Sequence, residues 1–423
     1  MELKEYKLGD IAEISTGYPF DGNLYAKEGI RVLRGENIGD GILKWDDRID
    51  KRWNAPFSKS DVYTLCDGDI VMQMDGNVGR NKSRVFAHDL PMLIAQRVGC
   101  IRAKKEIADQ DFLYYVICSE HYLRYINKVK TGTSIHHISL SQISNYTLSI
   151  PPFITQKRIA DVLSSFDKQI ALNKQINQNL EALARQLYDY WFVQFDFPNE
   201  EGKPYKSSGG KMVYNPILKR EIPEGWEVKK LGELCSINKR TSNGRYNSPI
   251  LYLDTASITN NNIEMLQFLD PEKDEIPSRA RRVVMEGDIV YSTVRPNLKH
   301  FGLLYDPKSN MVVSTGFAVI TANWSAFRYY IYQFLKQDKV VDNLHSIAQS
   351  AVSSYPSINA SDIQNLDIVV PSNIQIDGFA HIACKIHAQL EIHAQQILSL
   401  TKQRDELLPL LMNGQVNFDL SDD

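Results

Sequence analysis

Two long stretches of the chain carry hydrophobic residues at alternating three- and four-residue spacings. In residues 156–192, eight of the ten positions on this stripe are apolar, and the positions 220 residues later again have eight apolar members of ten. A stripe that continues for four heptads predicts coiled-coil helices and not ordinary surface helices. The predicted seam includes Ile159, Phe166, Ile170, Asn173, Leu180 and Leu187 in the first stretch, and Phe379, Ile386, Leu390, His393, Leu400 and Leu407 in the second.

Asn173 and His393 occupy matching positions in the two stripes. A polar residue in such a seam costs stability but can fix the register of the helices and the choice of partner. A polar residue that is merely tolerated near a solvated edge would look the same in the sequence. Both interpretations remain open at this stage.

The rest of the chain also repeats with a period near 220 residues. Residues 8–11 return at 231–234, the tetrapeptide Gly-Asp-Ile-Val at 68–71 returns at 287–290, and residues 112–115 return at 327–330. A fourth block, Ile138, Ser141, Ile143 and Pro151, returns 220 residues later. Four blocks in the same order, at offsets of 215 to 223, indicate a duplicated module. The period is too long for a solenoid repeat.

The sequence pattern of each module predicts an α+β globule followed by a long helix. Short β-rich runs follow glycine turns, and aromatic helical stretches lie between them. Because the two helices carry matching seams, we expect two tandem α/β modules separated by two long helices that form an antiparallel coiled coil with an internal pseudo-two-fold. The predicted boundaries are 1–152 for the first module, 153–192 for its helix, 193–225 for a turn-rich connector, 226–372 for the second module, 373–413 for its helix and 414–423 for a tail.

Composition narrows the class of protein. The chain has 423 residues, of which 43% are hydrophobic and 23% charged, and its net charge is -3. It has no run of eighteen apolar residues and no apolar leader, so we expect neither a spanning helix nor a secretory signal. Its five cysteines are widely spaced without a Cys-x-x-Cys pair, which is typical of reduced thiols in the cytoplasm.

The sequence offers no convincing catalytic or metal-binding motif. It lacks Gly-x-Gly-x-x-Gly and the phosphate-binding Gly-x4-Gly-Lys-Ser/Thr loop. Glu227-Val228-Lys229 has the spacing of a nuclease motif but no evident companion ligands for Mg²⁺, and His136-His137 is an isolated pair in a polar loop. We therefore predict a non-catalytic chain with no cofactor and no metal of its own.

Local charge nevertheless predicts two matched nucleic-acid surfaces. Residues 75–105 contain seven Lys and Arg against two acids, and basic loops follow the Gly-Asp-Ile-Val block in both modules. Such loops can approach phosphates and offer hydrogen-bonding side chains to base edges, although a solvated basic face is the simpler interpretation of either patch alone. The DNA-binding candidates are Asn77, Arg80, Asn81, Lys82, Arg84, Lys130, Thr133, Ser134 and His136 in the first module, and Arg279, Arg281, Arg282, Arg295, Asn297, Lys299, His300, Ser353 and Tyr355 in the second.

Several motifs resemble the specificity subunit of Type I restriction-modification systems. Residues 222–234, Ile-Pro-Glu-Gly-Trp-Glu-Val-Lys-Lys-Leu-Gly-Glu-Leu, look like that family's entry into a recognition domain. Residues 131–134, 150–152 and 156–160 are similar to its exit into a spacer helix, and residues 191–210 resemble its central connector. The second module departs from the pattern, because Pro371-Ser372 replaces the double proline.

The resemblance implies a function that composition alone does not. Each module would be a target recognition domain that reads one half of a split DNA sequence, and the helices would set the gap between the halves. Two methyltransferase subunits would dock on the chain and carry S-adenosylmethionine chemistry on adenine N6. ATP-dependent restriction subunits, which use Mg²⁺, would join them. The chain itself would remain without cofactor.

Two other functions are compatible with parts of the sequence. A stand-alone bipartite DNA-binding regulator with a coiled-coil spacer would bind its site tightly without a methyltransferase. A fused methyltransferase or nuclease would need the cofactor or metal motifs that the sequence lacks. Gel shifts with and without a methyltransferase partner separate the regulator from the subunit.

Overall fold

The computed structural model describes residues 3–263, 265–350, 356–412 and 415. The candidates Ser353 and Tyr355 and the predicted tail, except for Gln415, lie outside these residues. The chain divides into two compact units, Met1–Asn173 with Gln396–Asp423 and Lys174–Gln395. Among the described helices, none is long and apolar enough to cross a membrane. All five cysteines are free.

The first unit combines short helices with three small sheets. Its strands pair in the orders β1-β9, β2-β8-β5-β6 and β4-β3-β7, and only β3 and β7 run parallel. The strands are β1 Lys4–Lys7, β2 Ala12–Thr16, β3 Ile30–Leu33, β4 Arg52–Trp53, β5 Ile70–Gln73, β6 Lys82–Arg84, β7 Met92–Ile94, β8 Val98–Ala103 and β9 Thr147–Ile150. The helices are α1 Leu8–Ile11, α2 Ser60–Tyr63, α3 Gln110–Cys118, α4 Glu120–Val129, α5 Leu140–Ser144 and the first part of α6 Phe153–Tyr188.

The second unit repeats this topology. Its sheets have the orders β12-β23, β13-β22-β19-β20 and β17-β14-β21-β18, in which β18 is an added fourth strand, and two hairpins, β10-β11 and β15-β16, are also added. The strands are β10 Met212–Asn215, β11 Arg220–Pro223, β12 Glu227–Lys230, β13 Cys235–Ile237, β14 Ile250–Leu253, β15 Ile258–Thr259, β16 Asn262–Ile263, β17 Gln267–Leu269, β18 Ala280–Val283, β19 Ile289–Ser292, β20 Phe301–Leu303, β21 Met311–Ser314, β22 Phe317–Ala322 and β23 Asp367–Val370. The helices are the last part of α6, α7 Leu231–Leu234, α8 Phe327–Leu335, α9 Asp338–Ser350, α10 Ala360–Gln364 and the first part of α11 Asn373–Met412, whose last part belongs to the first unit; a π-helical turn, Asp189–Val193, follows α6. The matching strand orders confirm the predicted duplication of an α/β module.

The repeated Gly-Asp-Ile-Val block has a structural role in both units. Its Ile-Val pair begins β5 and β19, which lie inside the four-stranded sheets, and both residues of each pair are fully buried there. The preceding aspartate turns inward. Asp69 accepts a 2.7 Å hydrogen bond from the Cys66 amide and pairs with Arg102, while Asp288 accepts from the Met285 amide at 2.8 Å and pairs with Arg240. Each buried carboxylate is thus fully partnered, as burial of a charge requires.

The long helices pair in opposite directions within each unit. In the second unit, the Asn177 amide donates to the Leu390 carbonyl at 3.4 Å, Ala184 packs with Ile386, and the Trp191 and Phe379 rings lie 6.1 Å apart. In the first unit, Leu163 shares a core with Leu411, and Arg404 bonds Asp167 at 2.8 Å. As residue numbers rise along α6 they fall along α11, so the predicted antiparallel pairing is confirmed in each unit.

The predicted seam residues of each long helix point toward the other helix and the hydrophobic cores. All of its members are buried or half-buried, whereas neighbouring apolar residues off the stripe, such as Leu172 and Leu183, are at least half exposed. Asn173 and His393 are half-buried within the seam. Pro151-Pro152 precedes α6 and Pro371 precedes α11, where a proline ends the preceding strand and does not interrupt the helix.

A buried histidine makes the stability of the second unit depend on pH. His387 on α11 is 2% exposed, packs against the rings of Tyr329 and Tyr332, and has no hydrogen-bond partner at Nε2 within the described residues. Burial lowers the pKa of His387 to about 4, while the nearby Glu181 raises it and Lys336 lowers it. The imidazole is therefore neutral in the folded chain at neutral pH.

We expect the chain to lose stability as the pH falls from about 6.5 toward about 4. In this pH range His387 is protonated in the unfolded chain but stays neutral in the folded chain. At pH 5 this difference lowers the free energy of unfolding by about 2 kcal/mol. Thermal unfolding at pH 7.5 and pH 5 measures the loss. His387→Leu should reduce it, and His381→Leu, at an exposed position of the same helix, should not. An equal loss in all three proteins would contradict this assignment.

Candidate nucleic-acid interface

Two polar segments of the first unit come together beside the end of β5. The Gly76 amide donates to the His136 carbonyl at 2.8 Å, and the Ile138 amide donates to the Met74 carbonyl at 3.0 Å. The Asp75 carboxylate joins the segments by contacting His137. We refer to them as loop 75–81 and hairpin 131–137, and to their exposed side as the first polar surface.

Asp75 also holds a residue that the candidate list omitted. Arg97 lies at the turn between β7 and β8 with a φ of 66°, and its 67% exposed side chain contacts Asp75 at 2.5 Å. Burial alone would raise the pKa of the Asp75 carboxyl, but hydrogen bonds from Arg97 and His137 lower it below the usual range. The sequence signal for Arg97 was its place between two apolar runs, which predicts an exposed turn.

Most first-unit candidates do lie on this surface. Asn77, Arg80, Thr133 and Ser134 are exposed, and His136 is half-buried. Two others have local partners, since the Asn81 amide donates to Gln73 at 2.8 Å and the Lys130 ammonium donates to Asn127 at 2.8 Å. Within the described residues Arg80 forms no ion pair, so its guanidinium is available to a ligand.

Lys82 is buried, which contradicts its prediction as a DNA-binding residue. Its side chain belongs to β6, is 8% exposed, and its ammonium donates to the carbonyls of Gly79 and Arg80 at 3.1 and 3.4 Å. Asp40 lies 3.7 Å away as its counter-ion. Lys82 therefore ties loop 75–81 together from below and is not part of its outer face.

The prediction that Arg84 binds DNA is contradicted for the same reason, because Arg84 is buried. Its side chain is 10% exposed, and its guanidinium contacts Asp111 at 2.5 Å, the Tyr115 hydroxyl at 3.2 Å and Asp167 at 3.4 Å. The guanidinium also stacks over the Tyr114 ring at 4.2 Å. Burial alone would lower the pKa of Arg84, but Tyr115 and Asp111 raise it above its ordinary value, so this cation stays charged and paired inside the fold.

The second unit brings equivalent segments together. The Arg295 amide donates to the Pro356 carbonyl at 3.1 Å, and the Ile358 amide donates to the Thr293 carbonyl at 2.8 Å. Residues 293–300 follow β19 as loop 75–81 follows β5, and residues 356–358 precede α10 as hairpin 131–137 precedes α5. The two units thus place matching polar loops at the same point of the same fold.

Only some of the second-unit candidates are free to meet a ligand. Arg279, Arg281, Arg295 and Asn297 are exposed. The three other candidates that lie within the described residues, Arg282, Lys299 and His300, are engaged within the unit. Lys299 pairs with Asp338 at 3.0 Å, His300 donates through Nδ1 to the Ile258 carbonyl at 2.7 Å, and the half-buried Arg282 donates to the Thr241 hydroxyl at 3.0 Å.

The described residues offer no cluster of His, Cys, Asp and Glu that could hold a metal ion. The pair His136-His137 illustrates the reason, because its two imidazoles serve separate contacts. His136 Nδ1 lies 3.0 Å from the Gly132 carbonyl, and His137 Nδ1 lies against Asp75. The chemistry at this surface is hydrogen bonding and charge.

Comparison with known proteins assigns the class of the chain. Residues 1–182 and 223–402 match the family model described as the Type I restriction modification DNA specificity domain. Proteins of this class are non-catalytic DNA-recognition subunits. The chain belongs to the family of Type I restriction-modification specificity subunits.

Relatives support this over most of the chain. It is 26% identical over 316 residues to the Type I restriction enzyme MjaIX specificity subunit of Methanocaldococcus jannaschii, covering 72% of this chain and 69% of that one. It is 22% identical to the HindI specificity subunit of Haemophilus influenzae, covering 98% and 100%. The crystal structure of the S subunit of a Type I system from M. genitalium matches the fold with a TM-score of 0.57 at 15% identity, covering 97% of this chain and 96% of that one.

Proposed function

We propose that this chain reads a bipartite DNA target for a Type I restriction-modification complex. The first polar surface would contact one half of the target, and the exposed residues around Arg295 would contact the other. The observation that carries this proposal is the recurrence of matching polar loops at one point of a duplicated fold. Because the loops differ in sequence, the two half-sites should differ as well.

The chemistry of each exposed side chain indicates whether it would contact a phosphate or a base. Arginine can bond a phosphate or the O6 and N7 atoms of guanine in a bidentate manner, and asparagine suits adenine. Arg80 and Asn77 in the first unit and Arg295 and Asn297 in the second offer this pair of side chains in both loops. The net charge of the chain is -3, the same sign as the DNA phosphates, so partner subunits would supply part of the phosphate contacts.

We further propose that the paired helices dock two methyltransferase subunits and set the gap between half-sites. Exposed apolar residues on α6 and α11, including Leu172, Leu183 and Leu398, give these helices an outer surface that a protein partner can cover. S-adenosylmethionine would be bound by the methyltransferases, and ATP and Mg²⁺ by restriction subunits. The complex would act on double-stranded DNA in the cytoplasm, with no membrane association.

Arg80→Ala is expected to alter recognition of one half-site only, because the second unit keeps its own loop. Arg295→Ala should alter the other. Each lost base contact costs about 1–3 kcal/mol, which is roughly five- to 150-fold in methylation efficiency at the affected half. Long-read methylation maps of DNA from cells that express each variant with the cognate methyltransferase measure this.

Lys168→Ala provides the control, because it removes an exposed cation from α6 and leaves both loops intact. Methylation maps that are unchanged in the Arg80 and Arg295 variants would contradict the assignment of these loops. Tight, site-specific binding without any methyltransferase, together with no methylation when one is supplied, would favour a stand-alone regulator.

A further inference from the structure

The tip of hairpin 131–137 presents an isoleucine in an otherwise polar surface. Ile135 is 68% exposed, and Thr133 and Ser134 next to it are exposed hydroxyl residues. A single exposed apolar residue is ordinary on a protein surface and needs no function. The argument for a function therefore depends on how the hairpin holds Ile135 and on what lies beside it.

Backbone hydrogen bonds fix the shape of this hairpin. Thr131 and His137 exchange both of their amide-to-carbonyl bonds, at 2.9 and 2.8 Å. Gly132 has a φ of +92°, and a Cβ atom at this position would lie 2.1 Å from the Ile135 carbonyl oxygen. Only glycine fits there. The turn is thus closed before any ligand arrives, so presenting Ile135 requires little further loss of chain entropy.

The hairpin also places Ile135 on the first polar surface. His136 and His137, the two residues that follow it, make the contacts with Gly76 and Asp75 that attach the hairpin to loop 75–81. The exposed Arg80 belongs to that same loop. An apolar tip is therefore combined with cationic and hydroxyl groups, and a base edge offers the complementary groups: hydrogen-bond acceptors and, on thymine, a methyl group.

Resting on the proposed function, we propose that Ile135 is a specificity-determining residue that contacts the C5-methyl group of a thymine in the half-site read by the first unit. That methyl is the apolar group that base pairs display in the major groove. The methylation of adenine N6 that the resemblance implies would require an A·T pair in each half-site, and so at least one thymine there. The corresponding segment of the second unit lies largely outside the described residues, and the inference concerns the first unit alone.

Replacing thymine by deoxyuridine removes only this methyl group and tests the contact directly. The full chain with its cognate methyltransferase is titrated against the mapped target and against targets with one thymine of the first half-site replaced at a time. At one position we expect the wild type to bind about fourfold more weakly, the effect of one buried methyl group. Ile135→Ala should show a similar loss on the unmodified target and no additional loss with deoxyuridine.

Val62→Ala is the matched control, because Val62 is 74% exposed on α2 of the same unit and lies outside both polar segments. It should bind like the wild type and keep the deoxyuridine penalty. The inference is overturned if no deoxyuridine position weakens wild-type binding, or if Ile135→Ala keeps the full penalty. It is also overturned if Ile135→Ala weakens binding to all DNA equally, as an inserted wedge or a structural residue would. A wild-type complex that binds no DNA would instead refute the proposed function.

Discussion

Arg84→Met is expected to destabilise the first unit by about 2 kcal/mol, because it removes the buried cation that bonds Tyr115 and the half-buried Asp167, while water can replace the cation at the more exposed Asp111. The guanidinium is the shared partner of Asp111 and Asp167, and it also bonds the Tyr115 hydroxyl. Methionine fills much of the volume but donates no hydrogen bond. Arg84 ends the strand that follows loop 75–81, so the same change should weaken recognition by the first unit.

The free energy of unfolding in urea at pH 7 measures this effect. Arg80→Ala is the control, because its exposed side chain should contribute less than about 0.5 kcal/mol. Adding Asp167→Asn to Arg84→Met should recover a small part of the loss, because Asp167 has then lost one of its two cationic partners and keeps only Arg404. That recovery should be incomplete, because Asp167 also accepts bonds from Tyr115 at 2.6 Å and from Arg404 at 2.8 Å. A loss below about 1 kcal/mol for Arg84→Met would contradict the network.

The parts of the fold that repeat along the chain could be predicted from the sequence. The helix seam is periodic, so burial at Ile170 could be inferred from the apolar residues three and four positions away. The duplication identified β5 and β19 together, since each copy supported the other. The antiparallel direction of the helices followed from two matching seams on one chain. These inferences need only local patterns and their recurrence.

The sequence could not show which basic residues turn inward. Residues 77–84 look like one continuous basic loop, but the loop ends at Asn81 and a buried strand begins at Lys82. The partners that bring Arg84 inside are Asp111 and Asp167, which lie 27 and 83 residues away along the chain. Burial of a cation is decided by such distant acids, and neither composition nor periodicity identifies them.

Adding one heptad to each long helix is expected to lengthen the gap between half-sites by about three base pairs. Seven residues extend a helix by about 10.5 Å, and base pairs are stacked about 3.4 Å apart. The insertions belong between Asn173 and Lys174 in α6 and between Gln395 and Gln396 in α11, where the chain passes from one unit to the other. A whole heptad in both helices preserves the seam on either side of the insertion.

Methylation maps of the lengthened chain with its methyltransferase should therefore show the same two half-sites around a longer gap. A seven-residue insertion at Gly202 in the connector is the control, since this glycine sits in an exposed turn where a Cβ atom would meet nothing within 4 Å. It should leave the gap unchanged. A heptad in only one helix should abolish methylation, because the two seams would no longer match along their length. A gap that stays constant when both helices are lengthened would show that the spacing is set by the bound subunits and not by this chain.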